Sequence, residues 1–228
     1  MAKERRPATE WRWPPVVAIA VALALYATLP SEVPGILRGI VVVAAVVLVI
    51  PVVVLNPRRL DLETRWSRRL SVALVLLLLV ANQVALGIVI HALLTTTGED
   101  GPLVLLATLQ VWVTNVIAFG LAYWELDRGG PVSRRIKPRP QLPHADFRFP
   151  QDEDHDAVRE VAVGSSEHSG WVAAFVDYLY FSLTNSMAFS PTDVMPLTTR
   201  AKALMAVESF VAFVILALVI ARAVSLLG

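Results

Sequence analysis

The chain has 228 residues, of which 56% are hydrophobic, and its mean hydropathy is +0.61. This apolar content excludes an ordinary soluble domain and predicts an all-α integral membrane protein. The formal net charge of +1 gives no reason to expect a nucleic-acid partner. The absence of cysteine excludes disulfides, thiolate metal sites and cysteine nucleophiles.

Five apolar runs are long enough for transmembrane helices, which need about 20 residues each. They cover residues 14–30, 34–55, 70–95, 102–124 and 200–227. A shorter run, 171–187, predicts a half-span helix that enters and leaves the membrane on one side. The first run follows a basic segment but lacks a good signal-peptide cleavage site, so we expect a retained helix.

These runs divide the chain into three parts. Residues 1–125 form a four-helix transmembrane region, 126–168 a polar connector, and 169–228 a pore-loop-like helix, a turn and the last span. Basic residues are concentrated before the first run, in loop 56–69 and after Trp124, whereas the two intervening turns carry none. The positive-inside rule therefore predicts a cytoplasmic N-terminus, a cytoplasmic connector and an external C-terminus.

The connector is rich in proline, glycine and charged residues, which cannot bury a core of their own. Phe147 and Phe149 nevertheless indicate that part of it packs back onto the helices. Its acids and histidines are typical of a solvated loop, and we expect no metal site among them. The residues considered as ligands are His144, Asp146, Asp152, Asp154, His155 and Asp156.

Polar side chains inside the spans are costly in lipid and therefore informative. Asn82 and His91 lie in the third run, Asn115 in the fourth and Glu208 in the last. Hydrogen bonding between helices is the simpler interpretation; the other is that Asn82, His91 and Asn115 line a polar pathway. Glu208 either pairs with a polar group of a neighbouring helix or faces water.

Residues 177–184 (DYLYFSLT) and 193–198 (DVMPLT) resemble the pore region of bacterial two-transmembrane potassium channels, D-x-L-Y-F-S-x-T-T-x-T-T-V-G-Y-G-D-x-x-P-x-T. The resemblance covers about 50 residues and implies a pore loop followed by an inner helix. In that family the loop enters from outside, whereas the charge bias places this one on the cytoplasmic side. Pro196 precedes Thr198 or Thr199, either of which is a suitable N-cap for the last helix.

The centre of the motif differs from the potassium channel pattern. This chain has AFSPTD at 188–193 where the family has T-V-G-Y-G-D. Without glycine, Ser190 and Thr192 resist the left-handed backbone of a carbonyl-lined filter, and Pro191 restricts it further. A standard potassium filter is therefore not expected.

Three further segments resemble a family of bacterial multi-pass membrane proteins classified only as a domain of unknown function. They are WELDRGGP at 124–131, DFRFPQ at 146–151, and SLTN with SPTD between 182 and 193. The resemblance implies a multi-pass protein of the bacterial inner membrane and brings no activity with it.

The pattern as a whole predicts a channel-like protein in the lipid bilayer, with monovalent cations as the candidate permeant ions. The constriction candidates are Asn185, Ser190, Pro191, Thr192 and Asp193. One loop cannot ring an axis, so a homo-oligomer is expected, and a tetramer if the protein is channel-like. The alternative is a non-conducting membrane scaffold or interaction protein. No catalytic motif, metal site or cofactor site is apparent, and no enzyme activity is expected.

Overall fold

The computed structural model describes residues 9–30, 33–95, 101–153, 158–187 and 193–227. The long helices are α1 (Trp13–Ala27), α2 (Gly35–Leu55), α3 (Arg65–Thr95), α4 (Gly101–Leu126) and α9 (Thr199–Leu227). Between α4 and α9 lie α5 (Pro131–Ile136), α6 (Arg159–Ala162), α7 (Ser166–Ser169) and α8 (Phe175–Met187). The same stretch holds 3-10 turns at Asp127–Gly129, Arg139–Gln141 and Pro150–Asp152, and the two-residue strand β1 (Phe147–Arg148); β2 (Met195–Pro196) follows α8.

Four of the described helices, α2, α3, α4 and α9, are long and apolar enough to cross a membrane. α1 has 15 residues and α8 has 13. At 1.5 Å per residue these helices are about 22 and 20 Å long, which is less than the hydrocarbon core of about 30 Å. The prediction of a helical membrane protein is therefore confirmed at the level of four candidate spans.

Local sequence explains where the helices begin. α1 carries proline in its first turn, where a missing N–H costs nothing. α3 starts at Arg65, before the predicted run, because Thr64 and Ser67 cap it. Ser67 N donates to Thr64 Oγ1 at 3.1 Å, and Thr64 N donates to Ser67 Oγ at 3.0 Å. This first turn is polar, so hydropathy alone does not detect it.

The start of α1, the end of α2, the start of α3 and the end of α4 meet at one end of the bundle. Leu60 N donates to Glu10 O at 3.0 Å, which joins the N-terminal segment to the α2–α3 loop. Arg68 Nη2 donates to Glu125 O at 2.9 Å, which joins α3 to α4. We call this the basic end, because the α2–α3 connection and the first turn of α3 carry five arginines between residues 56 and 69.

α4 is the central helix and packs against α1, α3, α8 and α9. α8 starts at the basic end, where the Phe175 ring lies 5.8 Å from Trp124, and runs antiparallel to α4 until Ser182 Oγ donates to Val116 O at 2.8 Å. Trp124 and Val116 are eight residues apart, so α8 has descended roughly 12 Å at that point. α9 also starts at the basic end and runs the same way, with Ile215 in the core cluster of the opposite half.

The buried apolar residues form two clusters. The cluster nearer the basic end is rich in aromatic rings and includes Tyr123, Phe147 and Phe181. The cluster in the other half is mainly aliphatic and is built from α2, α3 and α4, with Tyr26 of α1, Leu29 and Val33 of the α1–α2 connection, and Ile215 of α9. The aromatic half therefore holds the short helix α8, and the aliphatic half holds the ends of the longer helices.

The connector is packed onto the bundle rather than folded around a core of its own. Phe147 and Phe149 are 1% and 3% exposed and belong to the aromatic cluster, which confirms the prediction that they pack back. β1 pairs antiparallel with β2, with Phe147 opposite Pro196 and Arg148 opposite Met195. The connector thus binds the chain segment that follows α8.

The turn between α4 and α5 requires glycine at one position. Gly130 has φ +99°, and a Cβ there would lie 1.6 Å from Arg68 Nη1. Only glycine therefore combines this backbone conformation with the close approach of the arginine. Arg68 in turn pairs with Glu125 at 3.4 Å, so the turn is fixed against α3 and α4.

Candidate functional site

The Glu208 carboxylate of α9 lies buried between α9, α8 and α4, with 0% of the residue exposed. Asn185 Nδ2 and Tyr123 Oη each donate to Oε2 at 2.6 Å. Ser186 Oγ donates to Oε1 at 3.0 Å, and Ser182 Oγ donates to the same oxygen. Within the described part of the chain, every partner of this carboxylate is an uncharged donor. We call Glu208, Tyr123, Ser182, Asn185 and Ser186 the Glu208 cluster.

The helical repeat of α8 explains how three of these donors converge. Ser182, Asn185 and Ser186 are spaced i, i+3 and i+4, which places them on one face of a helix. Phe181 is fully buried on another side of α8 and lies 4.8 Å from the Tyr123 ring. The short apolar helix α8 therefore carries a polar stripe, and this stripe meets Glu208, the only acid of α9.

Asn185 joins the two helices through both ends of its amide. Its Nδ2 donates to Glu208 and, at 3.3 Å, to Met205 O. Its Oδ1 accepts a hydrogen bond of 3.0 Å from Ser209 Oγ. The amide thus has donors and acceptors satisfied by α9 alone, and the C-terminal turn of α8 is held against α9.

The first half of α8 approaches α4 closely at a glycine. A Cβ at Gly120 would lie 3.1 Å from Leu179 Cα and 3.5 Å from Tyr178 O. A side chain at this position would therefore press on the α8 backbone. The absence of one lets Ser182 reach Val116 O while its hydroxyl also contacts Glu208.

Aromatic rings separate the Glu208 cluster from the basic end. The Tyr123 and Phe147 rings are 5.0 Å apart, and Phe147 and Phe181 are 5.1 Å apart. Phe147 comes from the connector, so this layer includes a ring from outside the long helices. Such edge-to-face packing leaves little room for water and strengthens the hydrogen bonds beneath it.

A second polar network fixes the connector beside the start of α9. Asp127, which is 0% exposed, accepts hydrogen bonds from Asp146 N at 2.8 Å and from Tyr178 Oη at 2.5 Å. The Asp146 carboxylate accepts from Thr198 Oγ1 at 2.5 Å and from Arg200 Nε at 2.7 Å. We call Asp127, Asp146 and these partners the Asp146 clamp, since it fastens the chain after α8 to the connector.

The clamp also completes the start of α9. Thr198 Oγ1 accepts a hydrogen bond of 3.3 Å from Ala201 N, which confirms Thr198 as the N-cap among the two predicted threonines. Leu197 N donates to Asp146 O at 2.8 Å. Asp146 is thus engaged with protein donors, and in the described ranges no group of three or more His, Cys, Asp or Glu could hold a metal ion.

The predicted site residues fall into three groups. Asn185 and Glu208 lie together in the Glu208 cluster, whereas Asp193 is exposed between α8 and β2. Ser190, Pro191 and Thr192 lie outside the described residues. The third group lies in α3 and α4 and is separate from both.

In that third group, Asn82 Nδ2 donates to Asn115 Oδ1 at 2.8 Å and Gln83 Nε2 donates to the same oxygen at 3.0 Å. Both asparagines are buried. His91 is exposed on the surface of the single chain and is not part of this contact. The structure therefore brings Asn82 and Asn115 together and leaves His91 apart.

Sequence reasoning did not select Tyr123, Ser182 and Ser186, or the role of Asp127 and Asp146. The i, i+3, i+4 polar spacing in α8 was a signal for the two serines. Tyr123 gave none, because an aromatic residue near the end of an apolar run is typical of the membrane interface.

Comparison of the chain with protein-family models, with curated proteins and with solved structures finds no match. The function is therefore inferred from the geometry of α8, α9 and the connector.

Proposed function

We propose that the chain is one subunit of a homo-oligomeric, channel-like protein of the bacterial inner membrane, in which α8 and the turn after it border a cation-permeable pore. The observation that carries the proposal is the Asn185–Glu208 contact, which holds the end of a half-length helix about 13 Å along α9. A helix that ends at this depth is the arrangement that pore loops use.

The proposed topology has five spans and one re-entrant helix. α1 is the fifth span, and its 15 residues cross the membrane by local thinning of the bilayer. α8 and α9 both start at the basic end, which supports a chain that enters and leaves the membrane on one side. The arginines of this end assign it to the cytoplasm, with the N-terminus on the same side.

The end of α8 favours cations. The last carbonyl groups of a helix carry a partial negative charge of about half an elementary charge. α8 ends at Met187, directly before the predicted constriction of Ser190, Pro191, Thr192 and Asp193. In the oligomer these ends and the Asp193 carboxylates form a ring of negative potential, without the stacked carbonyls that select potassium.

An oligomer is part of the proposal because one loop lines only one side of an axis. α9 offers an exposed apolar surface for subunit contacts, with Val207, Phe210 and Ile220 47%, 69% and 56% exposed. By analogy with other pore-loop proteins we propose four subunits.

A non-conducting membrane scaffold is the second candidate. The observation that favours it is the saturation of the Glu208 carboxylate, whose partners within the described residues are all protein donors. In that case α8 is a structural brace between α4 and α9, and Asp193 has no part in transport.

Cation flux into liposomes that contain the purified chain separates the two functions. We expect flux through the native protein and a lower flux after Asp193→Asn. Glu160→Gln is the matched control, because Glu160 is also an exposed acid between α4 and α9 but lies in α6. No flux from folded native protein, or equal losses in the two variants, contradicts the channel and leaves the scaffold.

A further inference from the structure

A groove of about 280 Å³ opens at the basic end, between the segment before α1, the arginines of α5 and the start of α8. Trp11 forms one apolar wall, and Phe175 with Val176 forms the other. Arg59 and Arg135 are the two cations of its lining, and we call their part of the groove its head. The lining therefore combines two arginines and one acid, Glu10, with apolar side chains, and its formal charge is positive on balance.

Arg59, one of the two arginines of the groove, is held loosely by the protein. The Arg59 guanidinium carbon lies 4.6 Å from the centre of the Trp11 ring. Its hydrogen bonds to Thr9 O and Oγ1 are both long, at 3.4 Å. Arg59 is therefore positioned by a cation–π contact and keeps donors that an anion can use.

The charged groups that line the groove or lie directly behind it are also positive on balance. Arg134 and Arg135 of α5 lie 3.8 Å from the Glu10 carboxylate, and Asp177 is the second acid that acts on Arg135. Three guanidinium groups, including that of Arg59, thus face two carboxylates. Both carboxylates are already engaged with backbone N–H groups at the start of α8, at 2.6 and 2.8 Å.

Arg135 is partly desolvated in this position. Burial is the largest cause that lowers the pKa of its guanidinium, against the opposing effect of Glu10. Its Nη2 donates to Val172 O at 2.9 Å. A phosphate oxygen at the head of the groove would compensate this lost hydration with a charge-assisted hydrogen bond.

Exposed indole rings beside the groove favour a position at the depth of lipid headgroups. Trp11, which lines the groove, and Trp13, two residues later in the chain, are 54% and 59% exposed, as is typical of indole rings at the membrane interface. Its apolar wall continues along α8, where Val176 and Tyr180 are four residues apart and 59% and 61% exposed. This strip leads from the head of the groove towards the middle of the bilayer.

We propose that the groove binds one anionic phospholipid, with its phosphate between Arg59 and Arg135 and an acyl chain along Val176 and Tyr180. The apolar strip decides between lipid and soluble phosphate, because a free phosphate would use only the head of the groove. The position of the two arginines decides between anionic and zwitterionic lipid, since a choline group would bring a positive charge to them. The site is independent of whether the protein conducts.

Native mass spectrometry of the purified chain, released from bilayers of equal parts phosphatidylglycerol and phosphatidylcholine, tests this site. We expect the native protein to retain one phosphatidylglycerol. Arg59→Gln/Arg135→Gln weakens that retention by about tenfold, which corresponds to about 1.4 kcal/mol. Arg58→Gln/Lys137→Gln is the matched control, because it removes two exposed positive charges from the same end without touching the groove.

Equal retention of phosphatidylcholine, or an equal loss in the control variant, overturns the proposal. If the double variant loses a bound second copy of the chain instead of a lipid, a protein partner occupies the groove, and this result also overturns the proposal. If the double variant does not fold, Arg59→Gln alone decides, since the hydrogen bonds of this side chain to Thr9 are both long. Unchanged phosphatidylglycerol retention in Arg59→Gln contradicts the site.

Discussion

Asn185 of α8 and Glu208 of α9 are joined by a hydrogen bond of 2.6 Å between the amide nitrogen and a buried carboxylate oxygen. Ser209 donates back to the same amide at 3.0 Å, so the contact runs in both directions between the helices. This pair fixes the end of the half-length helix.

Glu208→Leu removes the shared acceptor of the Glu208 cluster and leaves several buried donors unpaired. Each buried donor without a partner costs about 1–3 kcal/mol, so we expect a loss of at least about 3 kcal/mol in unfolding free energy. Glu208→Gln retains one acceptor oxygen and is expected to lose less. Thermal unfolding in mild detergent measures both, with the exposed Glu160→Leu as control. A Glu208→Leu protein as stable as the control contradicts the role of the cluster.

Gly120→Ala places a methyl group 3.1 Å from the Leu179 Cα atom and is expected to push α8 away from α4. Overpacking of this kind costs about 1–3 kcal/mol. Gly87→Ala in α3 is the matched control, because a Cβ there has nothing within 4 Å. The control is expected to be neutral or slightly stabilising, since alanine is the better helix former. Equal denaturation midpoints for the two variants would refute the close approach.

Asp146→Asn breaks the Asp146 clamp between the connector and the start of α9. Asp146 is 1% exposed, and its loss leaves Arg200 and Thr198 without a charged acceptor. We expect a loss of about 1–3 kcal/mol and faster proteolysis between α8 and β2. Glu153→Gln is the control, because the Arg148–Glu153 ion pair is exposed and contributes about 0–1 kcal/mol. If a protease cuts Asp146→Asn no faster than the native chain, the result contradicts the clamp.

Glu10 gives a pH dependence with a defined sign. Burial is the largest cause that raises the pKa of its carboxyl above 4.5, and Arg134 and Phe175 N oppose it. The folded state therefore holds this proton more tightly than the unfolded state. The contribution to stability is present below about pH 4.5 and is lost as the pH rises through the raised pKa. Melting temperatures across this window are expected to fall less steeply for Glu10→Gln than for the native chain. Parallel profiles would contradict the raised pKa.

The membrane helices could be predicted from the sequence because long apolar runs have few alternatives in lipid. The role of Asp146 could not be predicted from the sequence. It lies in a segment of proline, glycine and charged residues that is typical of a solvated loop. Arg200, which donates to the Asp146 carboxylate, is 54 residues away along the chain. A contact over such a distance has no signature in local composition.

The Glu208 cluster was partly predictable. A carboxylate inside an apolar run requires partners, and this was evident for Glu208 from the sequence. Its partner Tyr123 is 85 residues away and comes from α4. The fold brings them together because α4 packs directly against α9.

The proposed re-entrant arrangement requires that α8 stop part way across the membrane and that the chain return to the basic end. The chain has no cysteine, so single cysteines can be labelled without a background. Arg58→Cys marks the basic end, and Leu197→Cys marks the segment after α8, where the residue is 50% exposed. In intact cells and inverted vesicles, a membrane-impermeant maleimide is predicted to label both positions from the same side. Labelling of Leu197→Cys from the opposite side would show that α8 crosses the membrane and would contradict the re-entrant arrangement.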